Sequence, residues 1–400
     1  MRIYEFKLQG KPQQFQAVDE AIRATQFIRN KCLRFWMDGT DVKPYDLNKH
    51  CAVLAQEFDF ARKLNSQARQ AAAERAAFAI KRFYTNRQDG EAKKGYPQFQ
   101  KDCRSVEYKT TGWKLSGDAK RITFLDGHNI GTLKMVGTRD LAFFDLSLFK
   151  RVRIVRQADG YYVQFCIEAT RKEVLEPSGV ALGIDVGLLY FYTDSQERTL
   201  EAPKFLRKGE KKLRRLHRRV SHKAKGSANR RKARNRLGRG YLKVSRQRKD
   251  FAVKAARCVV RSNDFMAYED LKIANMVQNH SLAKSIHDAA WGQFIAWVKY
   301  YGQVFGKVVV AVPPHYTSQE CSGCGERVQK TLSTRTHQCA SCGLVLDRDH
   351  NAALNILSRG LELLSQSENT GGQPGIYAWG ENVRPLATEA ILTEPRIPRL

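Results

Sequence analysis

Two cysteine pairs, Cys321-Ser-Gly-Cys324 and Cys339-Ala-Ser-Cys342, stand close together near the C-terminal end of this chain. Four thiolates at that spacing suit one tetrahedral Zn²⁺. Such a site keeps no open coordination position, so the metal would hold a fold and do no chemistry. Gly325 and Gly343 follow the pairs, where a turn with positive φ aims backbone amides at the sulfurs. Two disulfides are the competing reading. No signal-peptide pattern is read at the start, and five further cysteines (Cys32, Cys51, Cys103, Cys166 and Cys258) read as reduced core thiols of a cytosolic protein, which favours zinc.

Asp185, Glu269 and Asp349 form the second constellation. Phosphodiester cleavage needs carboxylates converging so that two hard cations, about 3.5 to 4 Å apart, stabilise the attacking and leaving oxygens. Mg²⁺ or Mn²⁺ suits an oxygen-rich site. Each acid also has a plain structural use: Asp185 could cap a turn, Glu269 pair with a lysine, and Asp349 serve as a helix N-cap. Their joint order, with the cysteine pairs between the second and third acid, is harder to obtain by chance. Asp347 rivals Asp349, which is preferred because it lies at a helix start two residues before Asn351. Asp270 falls on the face opposite Glu269 by strand alternation.

The elements that must position these acids are legible as patterns. Val180 to Gly187 is an apolar strand ending in a carboxylate, Leu189 to Thr193 a second strand, and Phe265 to Glu269 a third. Helix is expected from Ser285 to Tyr301, strand from Val308 to Val312, and helix from Asn351 to about Leu364. A hairpin with Asp185 on its first strand opens an RNase H-like fold, although sugar kinases and actin-like ATPases open similarly. Upstream, Arg2 to Leu8 alternates like a strand, residues 13–84 are helical with a clear stretch from Phe60 to Tyr84, and strands follow at Ile122 to Leu125, Asn129 to Val136, Val152 to Gln157 and Tyr161 to Glu168. Asp159-Gly160 reads as a hairpin turn. A strand, a helical insertion and more strands imply a β-barrel-like domain with a helical domain in its first loop.

The formal charge is +29, from 69 basic against 40 acidic residues, which calls for a polyanion, nucleic acid above all. A membrane is disfavoured because no apolar run approaches the roughly 18 residues of a spanning helix. Between Lys204 and Lys249 lie 21 lysines or arginines against one acid, Glu210. This reads as a helical hairpin whose Lys211, Lys212, Arg214, Arg215, Arg218, Arg219, Arg230 and Arg231 bind phosphate without sequence preference.

Together these residues resemble the TnpB family of transposon-encoded RNA-guided DNA endonucleases, related to compact type V CRISPR effectors. Gly183-Ile-Asp185-Val-Gly187, Glu269-Asp-Leu271, Asp288-Ala-Ala-Trp291, Thr317-Ser-Gln-Glu-Cys321 and Asp347-Arg-Asp349-His-Asn-Ala-Ala carry the resemblance; Phe27-Ile-Arg-Asn30 and Gly95-Tyr-Pro97-Gln-Phe99 carry it more loosely. It implies an α/β multidomain chain. An RNase H-like (RuvC) nuclease domain (176–315 and 347–365), with Asp185, Glu269 and Asp349 holding Mg²⁺ or Mn²⁺, encloses a zinc ribbon (316–346). A wedge-like β-barrel domain (1–10 and 115–175) carries a helical recognition domain (11–114), and a tail of little periodicity, read as disordered, follows (366–400). It further implies a noncoding guide RNA, a double-stranded DNA target beside a short flanking motif, a monomer on one RNA, and a cytoplasmic, nucleoid-associated place in a prokaryotic cell. Gln70, Lys109 and Thr110 lie where the family reads that motif; Gln suits adenine and Thr a thymine methyl. A nuclease-inactive RNA-guided repressor and a transposase with RNase H-like strand-transfer chemistry remain as alternatives.

Overall fold

The chain divides after Thr170 into two units, and the computed structural model describes residues 1–90, 95–331 and 333–369. In the first unit, β1 (Arg2–Gln9) leads to α1 (Pro12–Asp38), with proline at the start where its missing N–H costs nothing. The helices α2 (Pro44–Glu57), α3 (Asp59–Lys63) and α4 (Ser66–Gln88) follow. The expected helix from Phe60 to Tyr84 is broken before Ser66, because the Asn65 side chain accepts a bond from the Gln67 N–H (2.9 Å) and caps a new helix.

Six more strands complete this unit: β2 (Ser105–Tyr108), β3 (Trp113–Leu115), β4 (Arg121–Phe124), β5 (Gly131–Val136), β6 (Phe149–Gln157) and β7 (Gly160–Ile167). They join β1 in one antiparallel sheet of order β2-β6-β7-β1-β5-β4-β3. The sheet curls on itself, since Tyr108 on β2 meets Phe124 on β4 (5.1 Å between rings) and Trp113 on β3 meets Phe165 on β7 (6.2 Å). It takes in residues from Ser105 onward, ahead of the expected start at 115. The β6–β7 turn is Ala158-Asp159, one residue earlier than expected: Gln157 pairs with Gly160, whose φ of +137° belongs to the first residue of β7. Glu107 is buried against Arg75, Arg151 and Arg153; burial alone would raise its pKa, but the guanidinium groups hold it down at about 2.

The second unit opens with β8 (Ala181–Asp185), β9 (Tyr190–Asp194) and β10 (Thr199–Glu201). A long pair of helices follows, α5 (Phe205–Ser221) and α6 (Ala228–Ser262), packed through Leu213, Val220, Leu237 and Val244. Then come β11 (Phe265–Glu269), α7 (Ile273–Met276), α8 (His280–Ala289), α9 (Trp291–Phe305) and β12 (Val308–Val312). The small strands β13 (Thr336–Gln338) and β14 (Val345–Asp347) precede α10 (Arg348–Asn369). The helix expected over Ser285 to Tyr301 is two helices, because Ala290 takes a left-handed conformation (φ 59°) that ends α8 and starts α9. The tail beyond Asn369 lies outside the described residues.

The sheet runs β10-β9-β8-β11-β12, antiparallel across β10, β9 and β8 and parallel across β8, β11 and β12. Parallel strands are covered on both faces, which is why Phe265 to Tyr268 are all buried. Met266 and Tyr268 face the core formed with α6 and α9, while Phe265 and Ala267 pack with Ile356 of α10. Helix α10 lies almost on the backbone of the sheet. A Cβ on Gly183 would stand 2.0 Å from the Ala353 carbonyl oxygen, and one on Gly360 2.5 Å from the Ala267 Cβ. Among the described residues, no helix is long and apolar enough to cross a membrane. Because Gly183 meets backbone that cannot swing aside, Gly183→Ala is expected to cost this unit roughly 1 to 3 kcal/mol. Hydrogen exchange along α10 should accelerate accordingly; unchanged exchange would show that the helix has room to spare.

Candidate active site and metal centre

Asp185 ends β8 and Glu269 ends β11. Tyr268 sits opposite Ile184 in the parallel register, so the two acids follow side by side at the carboxyl edge of the sheet. Asp349 comes to the same edge from α10. The helix is capped by Asp347, whose Oδ1 accepts from the N–H groups of Asp349 (2.8 Å) and His350 (3.2 Å). Of the two aspartates, Asp347 makes the cap, and Asp349 is spared it. The Asp349 carboxylate instead accepts from Arg335 Nη1 (3.1 Å) and from Arg348 Nε and Nη2 (3.0 and 2.8 Å). It is also close enough to Gly187 that a Cβ there would lie 4.0 Å from its Oδ2.

Burial pushes the Asp185 pKa well above the usual carboxylate range, and the neighbouring charges of Glu269 and Asp349 push it further. Burial also raises that of Glu269, against the hydrogen bond from Thr317 and the charge of Arg359. Hard oxygen donors whose charges repel one another fit a divalent cation such as Mg²⁺ or Mn²⁺. The three acids neighbour one another without closing to a single tight point; among the described residues only the four cysteines bring ligand atoms all within 4.8 Å of one another. Asp270 is exposed.

At the four-cysteine cluster, Cys321 and Cys342 sulfurs are 3.6 Å apart, as are those of Cys324 and Cys339. A tetrahedron of Zn–S bonds of about 2.3 Å places sulfurs roughly 3.8 Å apart, so the residues fit zinc. The two turns are built alike. Cys321 donates its N–H to the Glu326 carbonyl and accepts from Gly325 N–H, while Cys339 does the same with Leu344 and Gly343. Gly325 (φ 80°) and Gly343 (φ 75°) take the left-handed conformation this turn demands. Amides of Cys342 and Ser341 pull the Cys339 thiol down to about 6, toward the thiolate that binds metal.

Several residues that sequence reasoning passed over hold these parts together. Asn351 and Asn355, one turn apart on α10, donate to the Glu320 carbonyl (2.7 and 2.8 Å); Asn355 also donates to the Thr317 carbonyl (2.8 Å), and Asn351 accepts from Ser322 N–H (3.0 Å). The signal in the sequence is two amides on the apolar face of a helix, the first of them inside the Asp347–Ala353 motif. Asp288, noted only as part of a motif, is buried; it accepts from the first amides of α5 at Leu206 (2.8 Å) and Arg207 (3.1 Å) and from Arg248 of α6 (3.1 Å). It therefore fastens the basic helix pair.

On that pair, Lys211, Lys212, Arg214, Arg215, Arg218, Arg219 and Arg231 are exposed, with Arg214 bonded to Glu210 (2.8 Å). Arg230 is different. It is half-buried and donates to the carbonyls of Val220 (3.1 Å) and Lys223 (2.8 Å), closing the end of α5, so its guanidinium is committed to the turn. In the first unit, Lys109 pairs with Glu74 (2.5 Å) and Thr110 donates to Gln67 (3.2 Å), which docks both beside the α4 turn that carries Gln70. The Phe27–Asn30 and Gly95–Phe99 motifs also meet, since Arg29 Nη1 donates to the Gln98 carbonyl (3.3 Å), and Asn30 bonds the backbone of the adjoining Gln100 in both directions (2.9 Å each). Replacing Cys339 by serine removes one of four zinc ligands, and the purified protein is expected to lose its zinc by elemental analysis; full retention of zinc would refute the ligand set.

Residues 164–280 match the OrfB_IS605 family model, described as a probable transposase, and residues 291–356 match the Cas12f1-like TNB domain. A Streptomyces pristinaespiralis protein named as an RNA-guided DNA endonuclease is 38% identical over 183 residues, which is 45% of each chain. The Escherichia coli protein InsQ, named likewise, is 27% identical over 393 residues, covering 92% of this chain and 94% of its own. A TnpB-like protein of Acanthamoeba polyphaga mimivirus is 26% identical over 272 residues, 62% of this chain and 51% of its own. Among solved structures, Cas12f1 in its complex with sgRNA and target DNA has a TM-score of 0.51 at 12% identity, covering 86% of this chain and 81% of that one, a likeness of fold. On its motifs, its matched domains and its relatives, the chain belongs to the TnpB family.

Proposed function

We propose that this chain is an RNA-guided DNA endonuclease of a transposon, cutting DNA by metal-dependent phosphodiester hydrolysis after a guide RNA pairs beside a short flanking motif. The observation that carries this reading is the meeting of Asp185, Glu269 and Asp349 at one sheet edge from three separate elements. The names of the relatives support the guided, DNA-directed part of it. In this reading residues 176–315 and 347–365 form a RuvC nuclease domain, and the strand order, antiparallel then parallel, supports an RNase H-like assignment. The first unit then combines the wedge-like barrel with the helical recognition domain.

Asp185, Glu269 and Asp349 would hold Mg²⁺ or Mn²⁺, which supplies Lewis-acid stabilisation of the oxygens entering and leaving phosphorus. Arg335 and Arg348 fix the orientation of the Asp349 carboxylate. The exposed lysines and arginines of α5 and α6 bind backbone phosphate, a contact that gives affinity without sequence information. Sequence is then read by base pairing, with protein contacts near Gln70 and Thr110 reserved for the flanking motif. The partners are a noncoding guide RNA and double-stranded DNA, with one protein per RNA, at the nucleoid of a prokaryotic cytoplasm.

The test uses protein copurified with its RNA and a DNA duplex carrying the guide-complementary sequence. Wild type is expected to cut it in Mg²⁺ and to stop with EDTA, while Asp185→Ala falls to background with RNA and DNA binding unchanged. Cleavage retained by Asp185→Ala would remove the acid cluster from the chemistry.

A further inference from the structure

We propose that Thr317 is a positioning residue for the acid site, fixing the orientation of Glu269 and tying it to the zinc ribbon. The inference rests on the nuclease reading above and adds to it a residue outside the acid triad. Thr317 is buried (4% exposed), and its hydroxyl donates to Glu269 Oε1. That is the one hydrogen bond the Glu269 carboxylate accepts among the described residues, so the hydroxyl decides which oxygen is committed and which is presented. A β-branched side chain is stiff at χ1, so the donor is aimed by the backbone beneath it.

That backbone is itself held at short intervals along α10. Arg359 donates to the His315 carbonyl (2.6 Å), Asn355 to the Thr317 carbonyl (2.8 Å) and to that of Glu320 (2.8 Å), and Asn351 to Glu320 (2.7 Å) while accepting from Ser322 (3.0 Å). Tyr316, immediately before Thr317, takes a left-handed φ of 62°, with the Arg327 guanidinium 3.0 Å from its ring centre. A non-glycine residue in that region costs energy and persists where its surroundings over-determine it. The segment then runs directly into the first zinc turn at Cys321. The ordering of the ribbon and the pose of Glu269 are thus linked through one short stretch of chain held against α10, and Thr317 is its contact with the site.

Groups that orient a metal-binding carboxylate from behind typically change metal affinity or activity about 10- to 100-fold when removed. The experiment uses the full chain and Mn²⁺ as the probe, with unbound Mn²⁺ counted by electron paramagnetic resonance and zinc by elemental analysis. Wild type should show an Mn²⁺ site that Asp185→Ala abolishes. Thr317→Val should weaken that site by about tenfold, Thr317→Ser, which keeps the hydroxyl, should restore most of it, and zinc content should not change. The proposal is overturned if Thr317→Val binds Mn²⁺ like wild type, if Thr317→Ser is as weak as Thr317→Val, or if Thr317→Val loses zinc, since the residue would then act only through the fold. Absence of any Asp185-dependent Mn²⁺ site in wild type would instead sink the nuclease reading, and this inference with it.

Discussion

The near-contact of helix α10 with the backbone of β8 governs the second unit. Gly183 and Gly360 are the two places where a side chain would hold helix and sheet apart, and both lack one. With Ala352, Ala353 and Ile356 filling the remaining contact, the helix start lies at the carboxyl ends of β8 and β11. Asp349 reaches the edge already occupied by Asp185 and Glu269 only because the helix sits this low. The glycine of Gly183-Ile-Asp185 therefore serves the acid that arrives on another element as much as the acid two residues later.

Charge organises the rest. A small, half-buried, mutually repelling group of acids sits in a chain whose formal charge is +29. The repulsion disfavours the site unless cations offset it, and the positive excess disfavours the exposed helices unless a polyanion does. Asp288 joins the α8 end to the amides of α5 and to Arg248 of α6, so the basic pair is anchored by a buried carboxylate rather than left as a loose arm. Glu107 does comparable work in the first unit, where three arginines, two from β6 and one from α4, share it.

Much of this could be read from residue order. The cysteine pairs were legible because zinc dictates their spacing, and the strands ending in Asp185 and Glu269 because buried parallel strands are continuous apolar runs. What stayed hidden depends on tertiary partners. Nothing local separates Arg230 from Arg231, yet one closes a helix end and the other is exposed. Ala290 breaks a helical pattern with neither glycine nor proline to announce it. Thr317 and Asn351 stand in recognisable motifs and Asn355 does not, but what each of them bonds shows only when the ribbon root is laid against α10. Asp159-Gly160 has the composition of a hairpin turn, yet Gly160 pairs with Gln157 as the first residue of β7, which moves the turn one residue earlier.

The central claim is that the nuclease fold works under the direction of an RNA. The most direct measurement is to express the chain with its native flanking DNA, purify it, and sequence the RNA that comes with it. The account predicts one abundant species with a defined scaffold and a 3′ end running into flanking sequence. Heterogeneous RNA, or none, would contradict it and leave a basic, metal-dependent nuclease without a guide.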